Sequence, residues 1–110
     1  MSPQDKARIR TLNDQLRQHL LCGGAVMTPG IAALGEDAVK RLVQTVGVFD
    51  DFCAANDPYE EHDFGCFEFE GTKVIFKIDC YDKSLTYHSP DSADPQVTER
   101  IITLMRADEY

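Results

Sequence analysis

Apolar residues fall at helical spacing near the start of the chain, at Ile9, Leu12, Leu16 and Leu20. Ser2-Pro3 reads as the opening of that helix, with Pro in its first turn, and Cys22-Gly23-Gly24 as its end. Ala25-Val26-Met27-Thr28 predicts a short strand, which Pro29-Gly30 breaks. The stretch Ile31 to Leu34 fits a turn or a short helical piece. Gly35-Glu36-Asp37 opens a second helix, with two acids where the helix dipole favours them. Val39, Leu42, Val43, Val46 and Phe49 make its apolar stripe.

The pattern then changes from helical period to strand alternation. Phe64 to Glu70 and Thr72 to Asp79 read as a hairpin with Glu70-Gly71 in its turn. Such a turn sets Phe69 opposite Thr72, Glu68 opposite Lys73, Phe67 opposite Val74 and Phe64 opposite Lys77. One face then gathers Phe67, Phe69, Val74, Phe76, Ile78 and Cys80, and the other pairs Glu68 with Lys73. After a turn at Asp82-Lys83, a third antiparallel strand is expected at Leu85-Thr86-Tyr87-His88. Asp94-Pro95 is expected to cap a last helix, striped by Val97, Ile101, Leu104 and Met105. These elements predict an α+β fold: a mostly antiparallel three- or four-stranded sheet with about three helices packed on one face. The other face is expected to be partly solvated, with Phe64, Ile75, Lys77 and Tyr81 on it.

A chain of 110 residues suits one α+β domain over 1–110. No apolar run approaches the roughly 18 residues of a membrane span. The N-terminus lacks the apolar core of a signal peptide, so a cytoplasmic protein without membrane contact is the expectation. Cys22, Cys53, Cys66 and Cys80 include no C-x-x-C pair, which argues against a zinc ribbon or a thioredoxin-like site. Free, mostly buried thiols are expected.

Charge changes the picture more than composition does. Nineteen acids against eleven bases give a net charge of −8. Asp50, Asp51, Asp57, Glu60, Glu61, Asp63, Glu68 and Glu70 lie within residues 50–70, where there is no Lys or Arg. The rest of the chain carries eleven acids and eleven bases and is neutral. Such a segment repels phosphate, so direct nucleic-acid binding is not expected. It attracts a basic protein surface and speeds encounter with one. All eight acids are therefore candidate partner contacts, foremost Asp57, Glu60, Glu61 and Asp63.

No nucleophile signature and no phosphate loop is present. Asp63-Phe64-Gly65 matches a kinase tripeptide by letters only, in a chain too short for a kinase. Glu60-Glu61-His62-Asp63 does hold the residue types of a metal or acid–base site. Completing such a site needs Asp79, Asp82 or His88 folded alongside, and His62, Asp63 and Asp79 form its centre. The plainer reading of His62 is structural, as a donor to a loop carbonyl that fixes the entry into the hairpin. No cofactor is implied.

Several stretches taken together carry a resemblance. They are Phe49-Asp50-Asp51-Phe52 with Asn56-Asp57-Pro58-Tyr59-Glu60-Glu61-His62-Asp63-Phe64-Gly65, Lys77-Ile78-Asp79-Cys80-Tyr81-Asp82 and Ser89-Pro90-Asp91-Ser92-Ala93-Asp94-Pro95, with the ending from Val97-Thr98 to Asp108-Glu109-Tyr110, so that the likeness spans roughly residues 8 to 110. The chain resembles a family of small proteobacterial proteins of unknown function found on plasmids and other mobile elements. Cys80 stands where that family is expected to have an aromatic residue. The resemblance carries over no catalytic residue and implies a mobile-element accessory protein. By analogy, small acidic proteins in that setting include inhibitors of host defence, anti-CRISPR proteins among them. Two readings therefore stand. The first is a non-enzymatic binding protein that inhibits a nucleic-acid-handling host protein as a DNA mimic does. The second is a small metal-assisted hydrolase on His62, Asp63 and Asp79.

Overall fold

A computed structural model describes residues 3–20 and 23–110. The helix signals at Ser2 and Cys22 lie outside the described residues. In chain order the elements are α1 (Pro3–His19), β1 (Gly24–Met27), α2 (Pro29–Ala32), α3 (Glu36–Val48), β2 (Phe64–Phe69), β3 (Thr72–Tyr81) and β4 (Glu99–Arg106), then a 3-10 turn at Ala107–Glu109. The four strands form one mixed sheet in the order β1-β4-β3-β2. β1 runs parallel to β4, and the other pairs are antiparallel. This is the α+β architecture that the pattern predicts.

The hairpin has the expected register, with Phe69 against Thr72, Glu68 against Lys73, Phe67 against Val74 and Phe64 against Lys77. Glu70 and Gly71 both take positive φ, 48° and 83°, as a two-residue turn matched to strand twist requires. Gly65 has a packing reason: a Cβ there would run into the rings of Phe76 and Phe49. On the helix side of the sheet, Val74, Phe76, Ile78, Ile102 and Leu104 meet Leu16, Ile31, Leu42 and Val46 in one core. On the other side Ile75 is buried rather than solvated, while Phe64, Lys77 and Tyr81 are half-buried.

Two expected elements are not formed. The segment from Glu99 to Arg106 is a strand, not a helix. Ile101, Ile102 and Thr103 are three consecutive β-branched residues, and such side chains fit a pleated surface better than a helix. Burial alternates along the segment, with Arg100, Ile102 and Leu104 inward. Asp94 caps only a turn, accepting the Gln96 backbone N–H at 2.9 Å. The expected third strand at 85–88 is reduced to a single bridge between Tyr81 and His88. Asp82 Oδ1 gathers the Ser84 hydroxyl and the backbone N–H groups of Thr86 and Tyr87, which curls the chain into a turn and leaves Leu85 at φ 59°. Leu85 and Tyr87 are exposed.

Helix α1 departs from its apolar stripe in an informative way. Ile9 and Leu16 are buried, but Leu12 is half-buried and Leu20 exposed. Asn13 and Arg17 take the remaining buried positions. Arg17 is 4% exposed. Its Nη1 donates to the carbonyls of Val46, Gly47 and Phe49 at 3.0, 3.1 and 2.7 Å, so it closes the C-terminus of α3. A cation at that helix end also complements the dipole. Its Nη2 donates to Asp14 at 2.9 Å, and its guanidinium lies 5.3 Å from the Phe52 ring centre.

Replacing Arg17 by Met removes the guanidinium donors from the Val46, Gly47 and Phe49 carbonyls and leaves Asp14 with His62 Nδ1 alone of its two donors. The expected cost is about 3 kcal/mol or more in a urea denaturation series. Arg17→Lys recovers only part of it, because one ammonium does not reproduce the planar fork. An unchanged midpoint in Arg17→Met would refute this role.

Candidate functional site

The loop between α3 and β2 carries most of the acids and is held by α1. Arg10 Nη1 donates to the Glu60 carbonyl at 3.2 Å, and Asn13 Nδ2 donates to the Glu61 carbonyl at 2.9 Å. Asp57 is buried, and its Oδ1 accepts the backbone N–H groups of Glu61 and His62, both at 3.0 Å. The Ile78 N–H, on β3, donates to the Asp63 carbonyl at 2.8 Å. Glu60 and His62 take positive φ, 58° and 56°. The loop sends Asp57, Glu60 and His62 into one hollow and Glu61 and Asp63 into another.

The first hollow, of about 480 Å³, is lined by Arg10, Phe52, Cys53, Asp57, Glu60 and His62 among others. His62 is fixed on three sides. Its ring stacks on Phe52 with centres 3.9 Å apart and planes within 4°. Its Nδ1 lies 2.9 Å from Asp14 Oδ1, which already accepts from Arg17, so Nδ1 is the donor. Its Nε2 lies 3.7 Å from Asp57 Oδ2. His62 thus has the structural role, though its acceptor is a helix α1 carboxylate.

The second hollow, of about 370 Å³, brings three acids together. Glu61, Asp63 and Asp79 line it with Tyr59, His88 and Ser92, above Ile9, Ile78 and Cys80. Among the described residues no ion pair reaches Glu61 or Asp63. Asp63 has its own backbone N–H as donor. Burial pushes both carboxyls above their usual range, and mutual repulsion adds to it: Asp63 and Asp57 act on Glu61, and Asp57 and Asp79 act on Asp63. Arg100 and His88 offset part of this at Glu61. Asp79 has a cation within reach, Lys77 Nζ at 3.1 Å. Beneath, buried Arg100 donates from Nε to Asn13 Oδ1 at 2.6 Å and from Nη2 to the Ser92 carbonyl. Burial also pushes the Cys80 thiol up.

The eight acids of the 50–70 segment are not one patch. Asp57 is spent on the loop backbone, Glu60 lies 3.7 Å from Lys6, and Glu70 makes a bidentate pair with Arg41 at 2.6 and 3.1 Å. Glu68 is exposed on β2, toward the hairpin tip and away from Asp63. Asp50 and Asp51 follow α3, with Asp51 exposed and its carbonyl accepting from Asn56. Only Glu61 and Asp63 share a hollow with Asp79. The set His62, Asp63 and Asp79 is not brought together, since His62 belongs to the other hollow. Among the described residues no group of three His, Cys, Asp or Glu is arranged to hold a metal ion. Cys53 is exposed, Cys66 half-buried and Cys80 buried, all with free thiols; Cys22 lies outside the described residues.

His88, one of the residues expected beside the cluster, does line the second hollow, whereas Asn13, Asp14, Arg17 and Arg100 are not legible as site residues from spacing alone. The available signal is polar residues at positions of α1 and β4 whose apolar neighbours face inward. The structure thus defines a small α+β protein with one loop shared between two hollows, and among the described residues no helix is long and apolar enough to cross a membrane. The chain belongs to the DUF3768 family of proteins of unknown function, whose family model matches residues 27–109. No curated protein and no solved structure matches it.

The raised carboxyls fix the sign of a pH effect. An acid whose folded pKa lies above its unfolded value binds its proton more tightly when folded. Its contribution to stability is therefore most favourable at low pH and is lost as pH rises from the usual carboxylate range through the raised value. Asp63→Asn removes that penalty, so its melting temperature at neutral pH should rise by a few degrees. The gain should shrink as the pH is lowered toward the usual carboxylate range. A lower melting temperature at neutral pH would show that the Asp63 carboxylate stabilises the fold.

Proposed function

We propose that the protein is a non-enzymatic binding module, and that the hollow bounded by Glu61, Asp63 and Asp79 receives a Lys or Arg side chain from a basic protein surface. One observation carries this reading: Glu61 and Asp63 are partly buried carboxylates without an ion pair, raised by burial and by their neighbours. Carboxylates held in that state gain from an added cation. The floor suits the rest of such a side chain, because Ile9 and Ile78 offer apolar surface to a methylene stem while the head meets the acids. Tyr59, exposed at the rim, offers a ring face to a guanidinium.

The partner class we propose is a nucleic-acid-handling protein, with the acids standing where phosphate charge would lie. An accessory role on mobile elements, inhibiting a host defence protein in the manner of an anti-CRISPR or DNA-mimic protein, is the narrower form of the same proposal. The excess of acid over base within residues 50–70 supports it. The hydrolase reading is less well supported, because His62 is engaged with Asp14 and lines the other hollow, and among the described residues no group of three His, Cys, Asp or Glu is arranged to hold a metal ion.

The test is capture from nuclease-treated host lysate with three forms of the tagged chain. Wild type should retain a basic protein, and Glu61→Gln with Asp63→Asn should lose it. Glu68→Lys, which changes as much charge at a distance from the hollow, should keep it. Retention should also fall off, as pH drops, at a higher pH than for ordinary surface carboxylates. Equal loss in Glu68→Lys would reduce the effect to overall charge, and full retention in the double variant would remove the hollow from the interface.

A further inference from the structure

The two edges of the sheet differ sharply in charge. β2 forms one edge, with Asp63 before it, Glu68 within it and Glu70 after it. β1 forms the other, three strand spacings away, or roughly 14 Å. From Leu20 to Gly35 the sequence has no charged residue at all. Within this stretch Val26 and Met27 are 52% and 50% exposed, and Leu20 43%. Among the described residues β1 pairs only with β4, so its outer backbone edge is open. Open edges are usually blunted by shortness, a lysine, a proline, a bulge or an inward charge; Gly24–Met27 is short, at four residues, but carries no lysine, proline or charge. Beside the edge lies an apolar hollow of about 180 Å³, walled by Leu20, Ala25, Met27, Val39 and Val43.

We infer that this edge is the contact between two copies of the chain, joined by antiparallel pairing of β1 with its twofold mate. Charge selects the occupant. Two chains of net charge −8 repel each other, and the β1 edge is where they meet with their acidic edges farthest apart. Along Gly24–Met27 itself a basic partner finds no acid, and Glu109, just beyond its end, is already engaged by the Thr28 hydroxyl and the Gly30 and Arg106 N–H groups. Side-chain geometry points the same way. Ala25 and Met27 lie on the helix face with Ile102 and Leu104, and Val26 on the opposite face with Thr103. A dyad perpendicular to the sheet keeps the faces matched only in registers that pair like faces. Centred on Val26, it sets Val26 against Val26 of the second copy and Ala25 against Met27 of the second copy. The small residue then faces the large one, and each Met27 reaches the other chain's hollow. A projecting side chain and a hollow in one patch are what an isologous contact requires. The product is one eight-stranded sheet with both sets of helices on the same side.

Sedimentation of the full chain over a range of protein and salt concentrations tests this. A dimer is expected, and it should tighten with salt, because only the screened repulsion between acidic edges opposes it. Val26→Lys sets two ammonium groups face to face at the dyad and should give a monomer with unchanged far-UV dichroism. Met27→Ala introduces no charge and should weaken dimerisation at least about tenfold. Glu68→Lys, at the far edge, should leave a dimer. A chain that stays monomeric at high salt overturns the inference. So does a dimer that salt weakens, or one that survives both Val26→Lys and Met27→Ala.

Discussion

A single buried guanidinium ties the helical layer to the loop that carries the site. Arg17 belongs to α1, ends α3 by donating to its last carbonyls, and lies against Phe52 and Phe76 of the core. Through Asp14 it is linked to His62, and through the Phe52 ring to the same histidine from its face. Displacing Arg17 frays the helix end, frees the histidine and slackens the loop at once. A buried cation is costly unless its donors are nearly all used, and here Nη1 and Nη2 are engaged while Nε alone lacks a partner. The arrangement fixes where α1 crosses α3 more tightly than interchangeable leucines would.

That fixed crossing explains how one loop faces two ways. Arg10, Asn13 and Asp14 lie on the side of α1 turned to the loop and hold its carbonyls and its histidine. Asp57 holds its N–H groups from below. With the backbone satisfied by side chains, left-handed residues at Glu60 and His62 are tolerated, and successive side chains can diverge. His62 then completes the internal network while Glu61 and Asp63 are left in a hollow with no counter-ion of their own. The acids of the segment thus serve different ends. Asp57 builds the loop, Glu60 and Glu70 pair with Lys6 and Arg41, and Glu61 and Asp63 have no ion-pair partner among the described residues.

The β2–β3 hairpin is legible because two signals agree: alternation of apolar and charged residues, and a Glu-Gly pair suited to a positive-φ turn. The helix α3 is legible from its stripe and its acidic first turn. β4 is harder, because Val97, Ile101, Leu104 and Met105 fit a helical period while the β-branched run Ile101-Ile102-Thr103 argues for a strand. Burial on one face, with a neighbour on each side, decides it. The site is half legible. Glu61, Asp63 and Asp79 stand out by charge, but which hollow each enters depends on backbone angles at Glu60 and His62 that no local propensity encodes. Arg17 and Asn13 are hidden because a polar residue on a buried helix face makes sense only beside the carbonyls it serves, and those lie far along the chain.

The place of β4 also orders events in time. It is the second strand of the sheet and, among the described residues, the only strand that β1 pairs with, yet Gly24 and its partner Ile101 are separated by most of the chain. The ribosome releases α1, β1, α3 and the hairpin well before β4 emerges. Until then the hairpin can close on local contacts, but β1 lacks its strand partner and Phe76 and Ile78 lack Leu104 and Ile102 beside them. Such non-local closure is slow and comes after its loop entropy has been spent. During that interval an uncharged apolar strand waits beside an incomplete sheet. Nascent chains are therefore most open to mispairing before β4 has joined the sheet.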